Sequence, residues 1–120
     1  MSNLKRKRAY QKGHEAEQYA CNYLRQAGWN ILKQRYKTPY GEIDIIAKRH
    51  DWCIFTEVKA RASAEDALYA VSTRQQRRIA QAAQHFIASS GMDCNMRFDM
   101  IAVSNTNMIT HIEHAWEVSL

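Results

Sequence analysis

The chain has 120 residues, 46% of them hydrophobic, enough for one core and not for two, so a single site is expected. Its formal charge is +5, and Lys5, Arg6, Lys7 and Arg8 supply four of those charges, so the basic character is concentrated near one end. Cys21, Cys53 and Cys94 are odd in number and lack CxxC spacing, which argues against a disulfide framework or a zinc site and fits a reducing compartment. No signal-peptide pattern opens the chain and no apolar run approaches a membrane span, so a soluble, cytoplasmic protein without a membrane partner is expected.

Residues 1–8 form a basic arm that reads either as a phosphate-gripping segment or as a solvated terminus, and residues 9–120 form one domain. Gly13, Ala16, Ala20, Leu24 and Ala27 recur at three and four, which predicts a helix over 9–27 with Gly28 as its stop. A strand is expected over 29–36, broken by Thr38-Pro39-Tyr40-Gly41. Two more follow over 42–48 and 52–61, joined by a polar turn at His50-Asp51. Leu68, Val71, Ile79, Ala82, Ala83, Phe86 and Ile87 predict one long helix ending at Gly91, and strands over 96–103 and 108–116 close the chain around Asn105-Thr106-Asn107. The expected order is α-β-β-β-α-β-β.

Gly41-Glu42-Ile43-Asp44-Ile45-Ile46-Ala47 and, thirteen residues after the aspartate, Glu57-Val58-Lys59 place charged groups in segments that otherwise read as sheet core. An ionised carboxylate there is costly to desolvate unless a cation or hydrogen bond compensates it. Alternation puts Glu42 and Asp44 on one face with Ile43 and Ile45 on the other, and groups Glu57, Lys59 and Arg61. If the two strands are hairpin neighbours, Asp44, Glu57 and Lys59 converge on one point, where a magnesium or manganese ion would use the acids and Lys59 would orient a water. The plainer reading is a cross-strand salt bridge.

Two further polar groups favour the site. Glu17 falls on the apolar stripe of the first helix, and Gln75 sits between Val71 and Ile79 on the stripe of the second. Opposite Gln75, Arg74, Arg77 and Arg78 form a basic helix face that, with Arg61, suits phosphate contacts or is an ordinary solvated face. His111 and His114, three apart in an expected strand, point to opposite faces and are set aside as a ligand pair.

These segments, together with Gly13 and Ala16-Glu17, Phe55-Thr56-Glu57-Val58-Lys59-Ala60-Arg61, Gln76-Arg77-Arg78 and Arg97-Phe98-Asp99, resemble the YraN-like family of small bacterial proteins grouped with endonucleases. That family lies within the PD-(D/E)xK nuclease superfamily and is related to archaeal Holliday junction resolvases. The resemblance implies an α/β fold with a restriction-endonuclease-like core, a mixed β-sheet flanked by two helices. It implies that Asp44 and Glu57 are metal-binding acids, that Lys59 is the catalytic lysine, that Glu17 is the first-helix glutamate of the site, and that the Val58 main-chain carbonyl is an added ligand. Gln75 stands where the family commonly has a lysine, and the glycine usual before that helix is lacking.

The resulting expectation is a magnesium- or manganese-dependent endonuclease that hydrolyses phosphodiester bonds, with DNA rather than RNA as partner and branched DNA among its substrates. Lys5, Arg6, Lys7, Arg8, Arg61, Arg74, Arg77 and Arg78 would contact the nucleic acid, and a homodimer is the analogous assembly. The alternative is a catalytically silent nucleic-acid-binding protein of the same fold.

Overall fold

The computed structural model describes residues 3–118, eight elements arranged as one five-stranded mixed sheet with helices on both faces. They are α1 (Asn3–Gln26), β1 (Asn30–Lys37), β2 (Glu42–Arg49), β3 (Trp52–Lys59), α2 (Ala64–Tyr69), α3 (Thr73–Ser90), β4 (Asn95–Val103) and β5 (Ile109–Ile112). The strands lie side by side in chain order, antiparallel except that β3 and β4 are parallel. A parallel pair needs a crossover, and α2 with α3 provides it.

Helix α1 begins at Asn3 and not at Ala9, so the basic run expected as a separate arm is continuous with the first helix of the domain. Among the residues whose burial is described, Ala16, Ala20, Cys21 and Leu24 carry its packing face. Gly28 ends it at φ 91, with Trp29 N–H donating back to the Leu24 carbonyl at 2.9 Å, a left-handed stop that glycine adopts without steric cost. The second expected helix is two. Ser63 caps α2 by accepting from Asp66 N, and Ser72 caps α3 by accepting from Gln75 N at 3.1 Å, so the chain restarts at Ser72 after burying Val71.

The sheet divides two cores. Ile46, Cys53, Phe55, Phe98, Met100 and Ala102 pack against Ile79, Ala82, Ala83 and Phe86 of α3, while Ile45, Ala47, Ile54, Val58, Ile101 and Val103 pack against Ala16, Ala20 and Leu24 of α1. Alternation along β3 and β4 produces this division. Strand β2 departs from it: Ile43 joins the α3-side core and Ile45 the α1-side core, where strict alternation would have given them one face. The irregularity coincides with Arg35 on β1, which sits between the Gln34↔Ile45 and Tyr36↔Ile43 pairs and has φ 50. Strand β2 is therefore irregular at Asp44, where a charged side chain is re-aimed.

Strand β5 is four residues and stops before His114, whose φ of 52 turns the chain so that Trp116 stacks on Phe98 in the α3-side core. A polar tie joins α1, β4 and β5 on the other face. Asp99, 0% exposed, accepts both Arg97 Nε and Nη2 at 2.7 Å, His111 Nε2 lies 2.7 Å from its second oxygen, and Tyr23 Oη lies 2.9 Å from His111 Nδ1. Burial alone would raise the Asp99 pKa, but the hydrogen bonds to His111 and Arg97 hold it below the usual value. All three thiols are free, and among the described residues no helix is long and apolar enough to cross a membrane.

Candidate active site

Strands β2 and β3 pair from Arg49↔Trp52 up to Ile45↔Thr56, and there the register stops. The next rung would set Asp44 opposite Glu57. Instead of a ladder bond, Asp44 Oδ2 accepts the main-chain N–H of Val58 at 2.8 Å, so a side chain takes over from the backbone as the strands part. The divergence exposes the two carboxyl groups to a cleft of about 560 Å³. Ser72, Arg74, Gln75 and Arg78 of the α3 start line one wall, and Gly41 with Glu42 lines the other.

Glu57 lies at the back of this cleft, 6% exposed, and Gln75 Nε2 donates to its Oε2 at 3.0 Å. Burial, reinforced by hydrogen bonding with the Asp44 carboxylate and by its charge, pushes the Glu57 pKa up to about 10, while Lys59 pulls against the rise. The side chain is therefore a neutral acid at pH 7 in the cation-free protein. Asp44 and Lys59 are half-buried, and both bear electrostatically on Glu57.

Glu17 reaches the same neighbourhood from α1, since it too raises the Glu57 pKa, but its own carboxylate is drawn to Arg35, whose Nε donates at 2.7 Å. Burial raises the Glu17 pKa, the Arg35 hydrogen bond opposes the rise, and Asp44 and Glu42 add to it. Among the described residues no group of three or more His, Cys, Asp or Glu side chains is arranged to hold a metal ion. The structure thus brings Asp44, Glu57, Gln75 and Lys59 together and leaves Glu17 beside them on an arginine. Arg35 carries no signal in the sequence: its pairing with Glu17 spans the helix and the strand, and nothing in the β1 pattern marks it.

The basic residues separate. Arg74 and Arg78, four apart on α3, look into the cleft beside Gln75 and not away from it, whereas Arg77 lines a neighbouring groove with Gln76 and Gln84. The expected single face of Arg74, Arg77 and Arg78 opposite Gln75 is therefore corrected, because i,i+4 spacing groups only the first and last of them at this wall. Strand β3 ends at Lys59, so Arg61 leaves the strand face and its Nη1 donates to the Ala60 carbonyl at 3.0 Å. Lys5, Arg6, Lys7 and Arg8 are exposed on the first turns of α1. Val58 is buried on the α1 side, with its N–H committed to Asp44.

Fold and site together define an α/β domain with a buried glutamate beside a half-buried aspartate in a cleft lined by two arginines. The chain belongs to UPF0102, described as an uncharacterised protein family, whose family model matches residues 16–103. The match contains every cleft residue named above and leaves the basic run outside it. Similar proteins include a UPF0102 protein of Bradyrhizobium diazoefficiens, 43% identical over 113 residues covering 92% of this chain and 85% of that one. Another, from Rhodopseudomonas palustris strain BisB18, is 41% identical with 92% and 84% coverage. A third, from Nitrobacter winogradskyi, is 41% identical with 92% and 96% coverage.

Proposed function

We propose that this protein is a divalent-cation-dependent nuclease that hydrolyses phosphodiester bonds in DNA, within the restriction-endonuclease-like class that the sequence resembles. The observation that carries the reading is the placement of Asp44 and Glu57 side by side where β2 and β3 part, at the back of a cleft walled by Arg74 and Arg78. Structural ion pairs are built from opposite charges. Two carboxyls set together, one of them deeply buried, would become a donor set once a cation displaced the proton that relieves their repulsion.

Magnesium and manganese fit this set, because such ions accept one or two carboxylates and fill their remaining positions with waters and substrate phosphate oxygens. Asp44 and Glu57 would hold the ion, with the Val58 carbonyl as the third ligand that the resemblance implies. When bound, the ion would act as a Lewis acid toward the phosphoryl oxygen. Gln75 fixes the Glu57 carboxyl by its 3.0 Å hydrogen bond, and Asp44 is oriented by the Val58 N–H. Lys59 orients the attacking water or neutralises charge as it develops on the phosphate, and Arg74 and Arg78 seat the flanking phosphates.

One observation favours the second reading, a silent binder: Glu17 is held by Arg35, leaving two acids and not three at the centre. Cleavage of labelled linear, flapped and four-way DNA in manganese separates the two. The nuclease reading predicts cleavage by the wild type and its loss in both Asp44→Ala and Lys59→Ala, with DNA affinity retained. Equal cleavage by all three proteins, or cleavage by none, would sink it.

A further inference from the structure

Next in sequence to the cleft wall stands an aromatic residue, Tyr40, whose backbone the fold fixes and whose side chain stays about half exposed. Tyr40 is 49% exposed, and of the described exposed aromatics it alone adjoins in sequence a residue lining the cleft, Gly41. Its turn is locked. Thr38 Oγ1 accepts from Tyr40 N and Gly41 N, each at 3.1 Å, and donates to the Gly41 carbonyl at 2.9 Å, while Thr38 N donates to that same carbonyl at 2.9 Å. From across the cleft Arg78 Nε donates to the Tyr40 carbonyl at 2.8 Å. Gly41 permits this closeness, since a Cβ there would meet Arg78 Cβ at 3.2 Å. The Tyr40 and His85 rings meet in a T-shaped arrangement, with centroids 6.2 Å apart at 60°.

A surface tyrosine held on so constrained a backbone loses little further freedom when something packs on it, which is what a preorganised contact requires. The guanidinium that anchors the turn also lines the cleft, so aromatic ring and phosphate-seating charge are delivered as one unit. Tyr40 precedes Asp44 by four residues, so their Cα atoms are no more than roughly 13 Å apart along an extended chain. That places the ring within a nucleotide or two of a phosphate seated at the acid pair.

We propose that Tyr40 is a base-stacking platform, so that the cleft takes an unpaired nucleotide next to the phosphate it acts on and favours single-stranded or frayed DNA over continuous duplex. The inference rests on the nucleic-acid reading of the cleft. Arg74 and Arg78 hold the backbone of one strand, and the Tyr40 ring takes the face of the adjoining base, a contact every base can make. A base inside a duplex is already stacked and must first be unpaired to reach the ring. Glu57 is buried and Asp44 half-buried, so a strand has to enter the cleft to bring its phosphate to the pair.

The test uses a single-stranded oligonucleotide containing 2-aminopurine and the corresponding duplex, titrated in chelator with wild type, Tyr40→Phe and Tyr40→Ala, with cleavage in manganese measured in parallel. Wild type and Tyr40→Phe should quench the single-stranded probe. Tyr40→Ala should lose the quench and bind single strands about 5- to 150-fold more weakly, the range for loss of one base–aromatic stack, while duplex affinity holds. Tyr40→Ala binding single strands as tightly as wild type would overturn the platform, even if all three proteins cleave. Stacking that depends on Tyr40 without any cleavage would uphold the platform and sink the nuclease reading alone.

Discussion

Glu57 shows most clearly what the site costs the fold. Its pKa rises from 4.5 to about 10 through burial and the adjacent Asp44, so between those values the folded protein holds a proton that the unfolded chain releases. Stability from this group is fully present below about pH 4.5 and declines as pH climbs toward 10, by at most ~1.4 kcal/mol per pH unit. In chelator, melting temperature should therefore fall from pH 6 to pH 9, and Glu57→Gln, which keeps the acceptor for Gln75, should melt at an equal or higher temperature with a flatter profile. A wild-type profile no steeper than that of Glu57→Gln would show that the carboxyl is not carrying its proton. Asp44 and Glu57 were legible in the sequence because an acid among isoleucines needs compensation. Gln75 was legible as a polar break in an apolar stripe, but its partner was not, since Gln75 and Glu57 meet only once α3 docks on the sheet.

At the scale of elements, α1 changes the meaning of the basic run. Lys5, Arg6, Lys7 and Arg8 are successive residues of a helix, and at 100° per residue they point around most of its circumference, so a single nucleic-acid surface meets about two of them. Four cations near a helix N-terminus also oppose its dipole, and phosphates would offset that. Changing all four to Gln should lower the salt dependence of DNA binding by roughly 2, not by the roughly 4 that a pliant arm would give. An unchanged slope in titrations over several salt concentrations would remove this end of α1 from the interface. The sequence concealed the helical extension because residues 3–8 are exposed and polar or charged apart from Leu4, and so show no apolar period. It concealed the break between α2 and α3 for the opposite reason: Val71 is buried and keeps the period running through a loop, while the Ser72 to Gln75 spacing that marks a new helix start was outweighed.

For the whole molecule, strand order and the parallel pairing of β3 with β4 were beyond the sequence, because alternation fixes faces and not neighbours. The irregularity at Asp44 was beyond it too, since it depends on Arg35 opposite adopting a positive φ. Local rules fail at the one place where the fold must aim two acids at one point. The buried Asp99 tie fastens β4 to β5 and to α1 on the α1 side of the sheet, one strand over from the place where β2 and β3 part. If this parting makes a cation site of Asp44 and Glu57, titration calorimetry with manganese will register it. The wild type should give a saturable heat close to one ion per chain, and Asp44→Asn should lose it while still melting cooperatively. No saturable heat, or a heat that Asp44→Asn and Glu57→Gln both leave unchanged, would contradict such a site.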